Sequence, residues 1–180
     1  MESLNRYKFR GKALDGDCWV YGQLVYGENE TRKWAVISPN AIFPTFGFPK
    51  LSCYTKEVNP KSVGQYTGFV DKEGKAIFEG DIIEYYTLDS CCITDCEPHL
   101  QGYGDILCKK AFEVKFENGV FGVEEKEDFP LTPLTYCGLM GDCLEDLKKD
   151  DARLDTNGFE IDESIIGIKV VGNVFENSEM

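Results

Sequence analysis

Histidine is almost absent from this chain. His99 is the only one among 180 residues, so a serine or cysteine triad would have to use it as the base. Pro98 precedes it and a glycine-bearing loop follows, so no neighbouring element holds the ring in place. A surface histidine is the better reading, and a Cys–His nucleophile ranks below it. Long apolar runs are also missing, and none approaches the length needed to span a membrane. The opening MESLNRYKFRGK has no signal-peptide-like apolar stretch. A cytoplasmic protein is therefore expected, in which the Asn29-Glu30-Thr31 match to a glycosylation acceptor carries no meaning. Basic residues are scarce as well: 19 Lys and Arg stand against 32 Asp and Glu, a net charge of −13. Such a surface repels phosphate backbones, so no direct grip on nucleic acid is expected. It suits a basic protein partner, or a protein that imitates the charge of DNA.

What the chain does hold is apolar and aromatic. Hydrophobic residues make up 42%, with 12 Phe and nine Tyr, which places it among globular proteins and favours β structure. Residues 6–26, RYKFRGKALDGDCWVYGQLVY, read as two strands joined at Asp15-Gly16. KWAVISPNAIF, residues 33–43, gives a third apolar run, and the Pro- and Gly-rich PTFGFPKLSCY after it reads as a loop. In FEVKFENGVFGVEE, residues 112–125, Asn118-Gly119 is the preferred two-residue hairpin turn. That turn sets Phe116 against Phe121 and Val114 against Val123, with Glu113, Lys115 and Glu124 on the other side. One short helix is expected near residues 142–150, from Asp142 with Glu145 at its start and Cys137, Met140, Leu144 and Leu147 at helical spacing. The acidic DDARLDTNGFEIDES reads as an exposed linker, and the closing IIGIKVVGNVF as a buried strand.

VGQYTGFVDKEGKAIFEGDII, residues 63–83, is rich in glycine and invites a phosphate-binding reading. A P-loop needs four residues between its first glycine and Gly-Lys, then Ser or Thr. Here five residues separate Gly68 from Gly74-Lys75, and Ala76 follows. The stretch is two turns instead. Asp71-Lys72-Glu73-Gly74 reverses the chain between Tyr66–Val70 and Ala76–Phe78, and Glu79-Gly80-Asp81 feeds the alternating strand DIIEYYT.

Eight cysteines are many for this length. In a reducing cytoplasm they are buried thiols or metal ligands rather than disulfides. In CCITDCEPH, the residues Cys92, Cys96 and His99, with Cys108 further on, form a candidate Cys3His zinc set. The spacing is irregular and no second CxxC knuckle is present, so a loop of free thiols, with no cofactor, is the preferred reading. Those thiols are expected to react faster than Cys18, read as lying on a strand. Asp105, Glu113 and Lys115 match the D…ExK pattern of metal-dependent nucleases. Glu113 and Lys115 are also the polar side of the expected hairpin, and solvated sheet surface explains them without chemistry.

Three blocks in order carry a resemblance: YKFRGKALDGDCWVYGQLVYG, VNPKSVGQYTGFVDKEGKAIFEGDII, and VVGNVFEN, with FENGVFGV between the last two. On these the chain resembles the YopX-like proteins of bacteriophages and prophages. The resemblance implies an all-β fold of two small barrel-like subdomains that share strands, one of them SH3-like. The subdomains would divide near residue 60, as 1–60 and 61–180, with elaborations at 88–111 and 144–160. It brings no catalytic residues to carry over. The expected function is a non-enzymatic binding or assembly module with a protein partner, including a second copy of itself. The rival readings are an acidic decoy for a host DNA-binding protein and a metal-dependent hydrolase.

Overall fold

The computed structural model describes residues 8–28, 33–38, 55–92, 103–125, 127, 129–138, 154–155, 158, 160 and 162–176. Strands dominate, and the helical elements among the described residues are 3-10 turns of three residues. The chain is all-β. The helix expected near 142–150 lies outside the described residues, as does the segment from 39 to 54. Cys137, assigned above to helical spacing, is extended, with φ −79° and ψ 129°, at the end of the 3-10 turn Leu134–Tyr136.

Two compact units interleave along the sequence. One takes the chain up to Val70, then Ala76–Gly80, then from Val174 onward; the other takes Asp71–Lys75 and Asp81–Asn173. A single cut near residue 60 does not describe this arrangement, because the chain changes unit four times.

The first unit holds β1 (Phe9–Lys12), β2 (Trp19–Glu28), β3 (Lys33–Ser38), β4 (Lys56–Val58), β5 (Gly64–Val70) and β6 (Ala76–Phe78), in sheet order β4-β3-β2-β1-β5-β6. The β1–β2 register pairs Lys12 with Trp19 and Phe9 with Gly22, so the connection is centred on Asp15-Gly16 as expected. It spans four residues, however, closed by Ala13 N–H to Cys18 O at 3.0 Å, and Gly16 is not left-handed. Apolar residues alternate toward one face, where Ala13, Val20, Ala35, Ile37 and Val58 form the core, with Phe9, Leu24 and Val63 packed on it. Gly11 lets this face close: a Cβ there would sit 2.8 Å from Val58 Cγ2 and 3.1 Å from Ile37 Cδ1. β4 returns to the end of β1 through an isolated Ala13–Val58 bridge, flanked by Leu14 N–H to Glu57 O at 3.0 Å and Asn59 N–H to Lys12 O at 2.8 Å. One bridge is not a ladder. The described pairings leave the sheets open, where two barrel-like subdomains, one of them SH3-like, were expected.

The second unit contains β7 (Asp81–Cys92), β8 (Tyr103–Glu113), β9 (Lys115–Glu117), β10 (Val120–Val123), β11 (Thr132–Pro133), β12 (Leu154–Asp155) and β13 (Ile168–Asn173). They form a four-stranded sheet, β12-β8-β7-β13, and a three-stranded one, β11-β10-β9. Residues 88–92 and 103–111, read above as part of a loop-like elaboration, continue the β7–β8 ladder from Ile82–Glu113 to Cys92–Tyr103. Part of the acidic linker is strand as well, since Leu154–Asp155 pairs parallel with Asp105–Ile106. The Asn118-Gly119 turn has φ 52° and 84°, and Phe116 pairs with Phe121 as its chemistry demands. Val114 does not pair with Val123. The strand breaks at Val114, whose N–H donates to Asp81 O at 2.8 Å, although both valines are fully buried.

Candidate functional site

The register of the first unit brings cationic and aromatic side chains to the sheet face opposite the core. β1 pairs Arg10 with Tyr21 and Lys12 with Trp19, and β5 pairs Tyr66 with Phe78. Directly paired residues point to the same side of a sheet. The Arg10 guanidinium lies 4.7 Å from the Trp19 ring centroid and 5.1 Å from that of Phe78, and its Nη2 donates to Glu79 O at 3.3 Å. Tyr21 and Tyr66 pack on Phe78 at 5.6 Å and 5.5 Å between centroids. Lys8 Nζ stands 5.5 Å over Tyr21. Trp19 Nε1 donates to Glu176 Oε1 at 2.7 Å, and Phe175 meets the indole edge-on at 6.4 Å. Arg10 is buried, while Tyr21 is 43% exposed. Sequence reasoning missed this cluster. The signal was available, because centring the first hairpin on Asp15-Gly16 already sets Arg10 opposite Tyr21 and Lys12 opposite Trp19.

Asp71 organises the corresponding motif in the second unit. Its carboxylate is buried and accepts three backbone N–H groups, from Glu73 at 2.9 Å and Lys75 at 2.8 Å on Oδ1 and from Val170 at 3.1 Å on Oδ2. Burial by itself raises this carboxyl's pKa. The donors Val170, Lys75 and Glu73, helped by the Lys75 charge, outweigh it and hold the pKa below the ordinary value. Beside it Lys72 N–H donates to Ile168 O at 2.9 Å. The turn thereby occupies the outer edge of β13, which would otherwise present unpaired backbone.

Of the sequence-derived metal and nuclease sets, the members among the described residues, Lys115 aside, are spread along the β7–β8 ladder. Cys92 ends β7 opposite Tyr103, whereas Cys108 lies opposite Thr87. Five strand positions separate them, roughly 17 Å, far beyond the span of one tetrahedral zinc. Cys96 and His99 lie outside the described residues. Asp105 pairs with Ser90 and Glu113 with Ile82, eight positions apart on β8, roughly 26 Å. Lys115 pairs with Glu124 at 2.6 Å. Among the described residues no three His, Cys, Asp or Glu side chains converge as a metal site.

Other polar groups of the second unit are committed to neighbours. Glu84 pairs with Lys109, Asp89 with Lys110 and Glu73 with Lys169, at 2.6 to 2.7 Å; solvent screening leaves pairs of this kind little effect on stability. The buried Tyr85 hydroxyl donates to the Glu125 carboxylate. Burial, then Glu125, push the phenol's pKa up. Cys137 is buried with Sγ 3.5 Å from Pro133 O. Burial pushes its thiol up to about 11, with the neighbouring Tyr85 hydroxyl acting in the opposite direction.

The thiols therefore differ in reactivity. Cys18 is exposed and lies at the mouth of the first hairpin turn, not within a strand as expected. Near pH 8 the buried Cys137 is held as the unreactive thiol. Brief alkylation followed by peptide mapping should label Cys18 at least tenfold faster than Cys137. Equal rates would contradict the burial described here.

No helix among the described residues is long and apolar enough to cross a membrane. A family model described as YopX protein matches residues 8–180. No curated protein and no solved structure matches this chain.

Proposed function

This chain belongs to the YopX protein family, and from that premise we propose that it is a phage- or prophage-derived binding or assembly module without catalytic activity, acting on a protein partner in the bacterial cytoplasm. The observation that carries this reading is the cation–aromatic face of the first unit. Trp, Tyr and Arg are the residues that dominate binding energy at protein interfaces. Here the exposed Tyr21 packs on Phe78, which Tyr66 and Arg10 hold in turn, and Lys8 stands over its ring. An aromatic held this way loses little side-chain entropy when a partner covers it. A barrel-like, SH3-like fold belongs to the same reading, supported by the return of β4 to the end of β1.

Capture from host lysate on immobilised wild-type protein and on Tyr21→Ala tests it. The wild type should retain a protein that Tyr21→Ala binds about tenfold or more weakly, the loss typical of a hot-spot aromatic. Retention unchanged by the substitution would remove this face from the function. A partner that free DNA displaces from both proteins would favour the acidic decoy, for which the net charge of −13 speaks. Magnesium- or zinc-dependent hydrolysis abolished by Glu113→Ala would replace the reading with an enzymatic one.

A further inference from the structure

The three-stranded sheet ends on β9, and its outer edge has a self-complementary pattern. Across a two-residue hairpin turn, Glu117 and Val120 exchange backbone hydrogen bonds, and so do Lys115 and Gly122. The N–H and C=O of Phe116 between them therefore point away from β10. The same alternation holds two residues earlier, where the Val114 N–H points outward and donates to Asp81 O. Phe116 is 45% exposed, on the side it shares with Phe121, whose ring centroid is 4.6 Å away.

We propose that this edge pairs with the β9 of a second copy of the chain, antiparallel and centred on Phe116. In that register the two Phe116 residues exchange both outward backbone bonds. Lys115 of each copy then stands opposite Glu117 of the other, giving two cross-strand ion pairs. Centring the pair on Lys115 or on Glu117 would set like charges directly opposite, and would call on the outward groups of Val114, whose N–H is already given to Asp81, or of Asn118, which lies in the left-handed turn. Parallel in-register pairing also matches like with like. Only the Phe116-centred register satisfies both charge and backbone. This surface is in the second unit and does not depend on the binding face proposed for the first.

The contact is small. Three residues a side bury far less than the roughly 1,200 Å² of a standard interface, so the dimer should be weak, with Kd on the order of 10⁻⁴ M. The whole-chain charge of −13 opposes it at low ionic strength, and moderate salt relieves that repulsion. Sedimentation equilibrium of the full chain into the high micromolar range, in moderate salt, tests the pairing with three variants: Glu117→Lys, Lys115→Glu and the double charge swap. Each single variant sets two like-charge pairs across the two-fold and should weaken the dimer by about tenfold or more. The double swap should restore it. Glu117→Lys retains the Lys115–Glu124 pair within the chain, so its effect cannot be ascribed to loss of that pair. A wild type that stays monomeric throughout would overturn the proposal. So would single variants that dimerise like the wild type, or a double swap that fails to recover.

Discussion

Replacing Asp71 with alanine should destabilise the protein by about 3–5 kcal/mol, the scale for stripping a buried carboxylate from several backbone donors. Three N–H groups, on Glu73, Lys75 and Val170, lose their acceptor together. Two of them close the turn and the third lies on the edge of β13, so turn and strand edge should loosen at once. Asp71→Asn separates shape from charge. Its amide oxygen can still accept from Glu73 and Lys75, but its NH₂ would then face the Val170 N–H, donor against donor. The pH dependence carries a sign. The folded pKa of Asp71 lies below its ordinary value of 3.8, so its contribution is complete above that value. As pH falls, the unfolded chain takes up the proton first, and the contribution is lost on the way down through the folded pKa. Asp71→Ala should lack this portion of the acid destabilisation. Urea midpoints measured from neutral to acid pH, with amide exchange at residues 73, 75 and 170, test the claim. An unchanged midpoint with protection intact at those three amides would refute it.

Gly64→Ala should cost about 3 kcal/mol or more, at the upper end for forced overpacking. A Cβ at residue 64 would lie 2.3 Å from the carbonyl oxygen of Glu79 and 3.2 Å from its carbon. Both are backbone atoms, so no rotamer change relieves the clash. Relief requires β5 to move away from the turn after β6, which strains the Glu79 N–H to Gln65 O bond of 2.9 Å and the Tyr66–Phe78 ring contact. Gly16→Ala provides the control. Its Cβ would meet nothing within 4 Å and its φ is not left-handed, so alanine should be neutral or stabilise by about 0.4–1 kcal/mol through the unfolded chain. Thermal melts of the two variants decide the matter, and equal melting temperatures would show that Glu79 does not approach β5 as described.

The elements legible in the sequence share one property: their determinants are a few residues apart. Asn118-Gly119 carries its own left-handed pair and thereby sets Phe116 against Phe121. Asp15-Gly16 centres the first hairpin, and the 71–74 and 79–81 reversals follow from polar turn residues between apolar strands. Where the reading failed, the deciding partner was distant. Nothing near Val114 announces that its N–H will bond Asp81, or that the strand will break there. Gly64 and Gly16 look alike as letters, and only the approach of Glu79 makes one irreplaceable.

By itself, then, the sequence determined the all-β class, the turns and the alternation that selects a buried face, because period and turn chemistry act over four to six residues. It also determined family membership, through blocks long enough to be specific. Tertiary structure alone decided that Asp71 is a buried three-way acceptor rather than a surface turn residue. It alone brought Tyr66 and Phe78 to the face on which the first hairpin sets Arg10, Trp19 and Tyr21. A carboxylate's environment and a sheet's neighbours are set by chain that arrives from far along the sequence, and such contacts leave no local periodicity to read.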